Sequence, residues 1–155
     1  MIYGLMQRLA FAFGGLIVGD GLLLLYLLQN ALRARATLLA SHMGEPARIV
    51  PVTLQKFVIY AVFSFAGWLV VGLPIAVLFP ARFITRLSWP LRVLVGAALG
   101  PVALFVIFLL LGHGHISFPG TFRGTGALWP FAVVVSTVSF VAYVALLQKQ
   151  LRGIN

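Results

Sequence analysis

The chain has no cysteine. Disulfides, thiol catalysis and cysteine-based metal sites are therefore excluded. It has almost no negative charge: two acidic residues, Asp20 and Glu45, stand against eleven Lys and Arg in 155 residues. Only 8% of the residues are charged and 62% are hydrophobic, with a mean hydropathy of +1.11. A soluble globule is about 45–50% apolar and about 25% charged. A chain of this size could not hide so much apolar surface from water, and a bilayer accepts it. No internal repeat and no extended polar linker is present, so a single integral membrane domain over 1–155 is expected.

The net charge of +9 raises nucleic-acid binding as a reading. The basic residues fall in short groups between apolar spans, the pattern by which membrane proteins engage anionic headgroups, and no nucleic-acid partner is expected. The basic set is nine Arg to two Lys, a bias that hints at a GC-rich bacterial genome and so at an inner membrane.

About 20 apolar residues at 1.5 Å each cross the roughly 30 Å hydrocarbon core. Four stretches meet that length, at about 9–29, 57–79, 93–111 and 128–147. The expected fold is all-α: a polytopic membrane protein with four transmembrane helices in a small bundle. The first stretch has a cleaved signal peptide as its alternative, with Arg8 before an apolar 9–18 and a cut after Gly19. Ile17 stands where a small residue is wanted, and the apolar run continues through 22–28, so a retained span is expected. The second contains Gly67, Gly72 and Pro74, and Pro74 should kink it. The third contains Pro101, and the fourth opens on Trp129 and Pro130, where a proline costs little.

Between the first two spans, Leu32, Ala36, Leu39 and Met43 recur at helical spacing, with Arg33 and Arg35 on other faces. This predicts either an amphipathic segment over about 30–43 along the headgroups or an irregular basic loop; Gly44 and Pro46 are stop signals. Four crossings put six basic residues on the side of the termini and five on the other, a near tie under the positive-inside rule. If the second stretch were instead a re-entrant hairpin broken at 67–74, the count would be nine to two. Its non-helical bend would then have to be covered by protein or water.

Asp20 lies near the centre of the first span. A carboxylate there costs roughly 2.5–3.5 kcal/mol on insertion scales and marks a functional-site hypothesis. A neutral acid that can lose its proton serves a proton-coupled carrier; the structural alternative is a hydrogen bond that orients helices. Ser136, Ser139 and Tyr143 form one stripe on the fourth span, and Ser64 and Tyr60 lie on the second. Asp20 is expected to face Ser136 and Ser139. Gly15-xxx-Gly19 and Gly96-xxx-Gly100 are spacings that let helix backbones approach, within one chain or between copies.

Arg33, Arg35, Arg82, Arg86 and Arg92 are read as headgroup-binding. His113 and His115 are two apart, but a metal site needs three or four ligands, so neither a metal nor any cofactor is expected. No histidine lies within a span, which disfavours a buried haem. The catalytic set is empty: no acid, base or nucleophile accompanies the arginines.

Three functions compete. The first is a non-catalytic accessory, assembly or scaffold component, with membrane lipids and a homo-oligomer or larger complex as its partners. The second is a proton-coupled transporter acting as an oligomer through Asp20. In this respect the layout, four helices with an acid in the first, resembles the small multidrug-resistance transporters, whose chains are shorter with tighter loops and share no motif with this one. The third is a lipid-modifying enzyme using Arg82, Arg86, His113, His115 or Arg123.

Overall fold

The computed structural model describes residues 2–41, 46–111 and 128–152. Those residues are almost entirely helical and contain no strand. Where no water reaches the backbone, each N–H and C=O must find its partner within the segment, and a helix does this residue by residue. Four helical runs are long and apolar enough to cross a membrane: Gly4–Ala40, Ile49–Leu78, Trp89–Leu110 and Leu128–Arg152. Their outward faces carry Ile17, Leu25, Val58, Val62, Leu94 and Val134, all exposed. By length and composition the chain is a multi-pass membrane protein.

Helix α1 spans Ile2–Ser41 without a break. At 1.5 Å per residue it is about 60 Å long, twice the hydrocarbon thickness. The segment read as interfacial is thus joined to the first span through uninterrupted helix as far as Ser41. Residues 30–41 contain neither glycine nor proline, so nothing in them stops the helix. A 3₁₀ turn at Pro46–Arg48 leads into α2, Ile49–Gly67.

The second crossing does not turn back. Alpha2 passes through a π turn, Trp68–Gly72, into α3, Leu73–Leu78. Gly67, Gly72 and Leu73 all keep right-handed helical dihedrals, so the re-entrant hairpin is not formed. Pro74 explains the π turn. It has no N–H for the carbonyl one turn back and its ring crowds that carbonyl. The wider turn relieves both, with the Leu73 N–H donating to the Trp68 carbonyl, five residues back. The disturbance expected at Pro74 is therefore taken up just before it.

Pro80 ends this run, because the residue before a proline is pushed out of the helical region. Phe79 is extended, with φ −89° and ψ 129°. Short helix α4, Ala81–Thr85, follows, held by the buried Ile84. Then come α5, Trp89–Leu111, and α6, Leu128–Arg152. Pro101 lies inside α5 without ending it.

The four crossings form a ring in which α1 and α5 each pack between α2 and α6. A side-chain bond joins Gln150 to Gln7, so both ends of the described chain lie at one end of the bundle. The core sits there too. Ala12, Ala76, Ile84, Phe140, Val144 and Leu147 bury one another where α4 tucks under α6.

This topology makes a direct prediction. Cysteines introduced singly at Ala40 and Ser88, both exposed, are expected to react with an impermeant thiol reagent from opposite faces of the membrane. The absence of native cysteine leaves no background. Labelling of both from one face would rule out the second crossing.

Candidate functional site: a cleft inside the bundle

Both glycine pairs pack within the chain, and both against α6. A methyl group on Gly15 would overlap the Ser139 carbonyl oxygen, and one on Gly19 would stand 2.9 Å from the Val135 carbonyl. On the other side, one on Gly96 would stand 2.8 Å from the Thr137 Cα, and one on Gly100 2.5 Å from the Ala132 carbonyl carbon. The absence of side chains at these four positions lets α1 and α5 close on α6 backbone to backbone. The fourth wall, α2, is more loosely applied: Gly67 faces Ala103 and Ile107 of α5.

Between these walls lies a partly open cleft of about 130 Å³, lined by all four crossings. Its surface is mostly apolar, with Leu16, Leu23, Leu104, Phe131 and Val135 along it. Of the residues singled out in the sequence, it brings together Ser64, Ser136, Ser139 and Tyr143, with Gly100 in its wall. Asp20 is not among the lining residues.

The polar groups differ in how they are satisfied. The Ser136 hydroxyl donates to the Gly96 carbonyl at 2.6 Å, also lies 3.2 Å from the Val133 carbonyl, and so ties α6 to α5. The Tyr60 ring rests on Phe131, with centroids 4.9 Å apart. Ser64 is the polar side chain that interacts with Asp20. The Asp20 carboxyl is half-buried and its Oδ1 is enclosed without a partner. Ser139 lies against Gly19, and its hydroxyl is buried and unpartnered. Tyr143 is only 4% exposed, and its buried hydroxyl lies beside the Arg8 guanidinium.

Two participants escaped the sequence reading. Trp68 stands in the cleft wall, edge-on to Phe13 with centroids 5.5 Å apart, and its Nε1 is buried without a partner. A tryptophan at mid-span, away from the interfacial belt where Trp collects, was the available signal. Arg8 is the other. Its guanidinium donates to the Phe79 carbonyl and acts on the Tyr143 hydroxyl, while its Nε is buried without a partner.

Arg33, Arg35, Arg82 and Arg86 are exposed, as side chains reaching headgroups must be. Arg92 is not of this kind. It is half-buried, and its guanidinium donates to the carbonyls of Leu87 and Thr85 and to the side chain of Gln148. His113 and His115, like His42, Glu45 and Arg123, lie outside the described residues. Among the described residues no group of three or more His, Asp or Glu comes together.

Fold and cleft define a class: a four-helix, multi-pass membrane bundle with an internal, largely apolar cleft. No family model, curated protein or solved structure matches the chain, so the function has to be argued from the cleft itself.

Proposed function

We propose that the protein is a non-catalytic component of a cell membrane, of the bacterial inner-membrane type, acting as an accessory, assembly or scaffold subunit. The observation that carries this reading is the make-up of the cleft. Its polar groups belong to Ser, Tyr and Trp, with no carboxylate, imidazole or amine among the lining residues. A Ser or Tyr hydroxyl becomes an effective nucleophile when an adjacent base activates it, and no such base is among the described residues that line the cleft. Arg82 and Arg86, on which a lipid-modifying reading would draw, are exposed and outside the cleft. They and the exposed Arg33 and Arg35 suit anionic headgroups at the bundle's two ends.

A proton-coupled carrier is the second reading, favoured by the unpartnered Oδ1 of Asp20. Reconstitution in liposomes with an imposed pH gradient and an internal pH dye separates the two. The expected result is equal dissipation by the native chain and Asp20→Asn. A flux present in the native chain and absent from Asp20→Asn would replace the accessory reading with the carrier. A native gel of the parent membrane should also show the chain migrating within a larger assembly.

A further inference from the structure

We propose that the cleft binds an uncharged ring with two carbonyls on an apolar tail, the chemistry of an isoprenoid quinone, held between the Trp68 indole N–H and the Ser139 hydroxyl. This goes beyond the proposed function and does not depend on it.

The lining excludes a charged ligand. None of the described residues around the cleft carries a charge. An ion moved there from water would lose its hydration and meet no counter-charge, at a large cost.

The ligand must still accept hydrogen bonds. Trp68 and Ser139 both line the cleft, and Trp68 Nε1 and the Ser139 hydroxyl are buried without a partner. Buried polar groups in folded proteins are nearly always paired, so two unpaired ones in the wall of one cavity call for a ligand. The indole N–H can only donate. The hydroxyls of Ser64, Ser136 and Tyr143 are already engaged, with Asp20, Gly96 and Arg8.

The two donors stand apart. Trp68 packs against Phe13, while Ser139 lies against Gly19, six positions or about 9 Å further along α1. One water cannot bridge that gap, since it needs two or more partners within hydrogen-bond reach. A quinone ring carries its carbonyls on opposite edges. With a hydrogen bond of about 3 Å at each end, it spans a gap of this order.

Size and depth agree with a ring. The volume of about 130 Å³ is close to the roughly 150 Å³ of an apolar cavity that admits benzene. Tyr60, Phe63, Phe131 and Phe140 in the lining offer aromatic faces and edges to it. Trp68 is the midpoint of the apolar stretch 57–79, about 16 Å of helix from either end. The ester carbonyls of bilayer lipids stay in the polar region outside the roughly 30 Å hydrocarbon core. An uncharged quinone dissolves in the core itself. The cleft is partly open, which leaves the tail a way out.

Trp68 supplies the readout, because quinones quench indole fluorescence. With Trp89→Phe and Trp129→Phe, it is the one indole left in the chain. Titration of that chain in detergent micelles with a decyl-tailed benzoquinone is expected to quench Trp68 saturably. Decylbenzene, the same tail on a ring without carbonyls, should compete about tenfold more weakly, the loss of two neutral hydrogen bonds. Ser139→Ala, which adds no volume, should weaken the quinone about fivefold and leave decylbenzene unchanged. Quenching that rises without saturation would overturn the proposal. So would competition by decylbenzene or decanoate equal to that of the quinone, or quinone binding unmoved by Ser139→Ala. Equilibrium binding of the radiolabelled quinone to the native chain repeats the ring comparison without any variant, so a variant that fails to fold does not remove the test.

Discussion

Gly100→Ala is expected to lower the melting temperature of the bundle, whereas Gly21→Ala leaves it unchanged or raises it. An added Cβ on Gly100 would overlap the Ala132 carbonyl oxygen and stand 2.6 Å from the Ser136 hydroxyl. The Ser136 hydroxyl could rotate aside, but the Ala132 carbonyl is backbone and cannot, so α5 and α6 must separate. Separation also stretches the 2.6 Å bond from Ser136 to the Gly96 carbonyl. Overpacking of this kind costs about 1–3 kcal/mol. In a chain of this length that is a fall on the order of 5 °C. Gly15→Ala meets the Ser139 carbonyl oxygen in the same way and should behave alike. Gly4 and Gly21 have no atom within 4 Å of an added Cβ. There alanine only gains helix propensity, about 0.5–1 kcal/mol. Thermal unfolding in detergent, followed by circular dichroism, measures all four. Equal responses at Gly21 and Gly100 would mean that α5 and α6 do not meet at the glycines.

The same glycines show what the sequence could and could not reveal. Hydropathy located four crossings, because twenty apolar residues in a row have few other uses. It could not set the helix ends. An apolar window marks where lipid is tolerated, while a helix continues until a backbone signal stops it, which for α1 lies beyond residue 40. The glycine spacings identified two close approaches but not their common partner, since a gap takes any small surface. Asp20 is the clearest case of a pairing that depth alone cannot decide. It lies at the level of Ser139, but its neighbour Gly19 is the residue turned to α6. One residue on is about 100° of rotation, which carries Asp20 round to Ser64 on α2. Ser136 is meanwhile occupied by Gly96. Trp68 and Arg8 were visible as letters; what their side chains enclose depends on a π turn and on the Phe79–Pro80 break, both consequences of prolines that sequence marks without showing the response.

Arg92→Ala is expected to cost more than any single exposed arginine, and Arg92→Lys to recover little of it. The Arg92 guanidinium reaches Leu87 O at 2.8 Å, Thr85 O at 3.1 Å and Gln148 Oε1 at 3.2 Å. Gln148 in turn donates to Thr85 O at 3.1 Å. One side chain thereby fastens the end of α4, the turn into α5 and the last turns of α6. A hydrogen bond to a charged group is worth about 1.5–3 kcal/mol net, and three that share one donor group do not add, so about 2–4 kcal/mol is expected overall. Lysine presents a point charge on a flexible stem and cannot match three acceptors held in the plane of a guanidinium fork. Arg82→Ala and Arg86→Ala, at exposed positions, should change stability by less than about 0.5 kcal/mol and serve as controls. A double-mutant cycle with Gln148→Ala tests the network itself. Because both residues hold the same Thr85 carbonyl, the two losses should fall short of additivity by about 0.5–3 kcal/mol. Additive losses, or a lysine variant as stable as the native chain, would show that the contacts hold no common load. Arg92 would then return to the basic residues that serve only the headgroups. A coupled loss would instead mean that, at this end of the bundle, a residue placed by sequence at the lipid surface helps hold the helix ends together, and that the near-even count of basic residues on the two sides overstates the charge available to orient the chain.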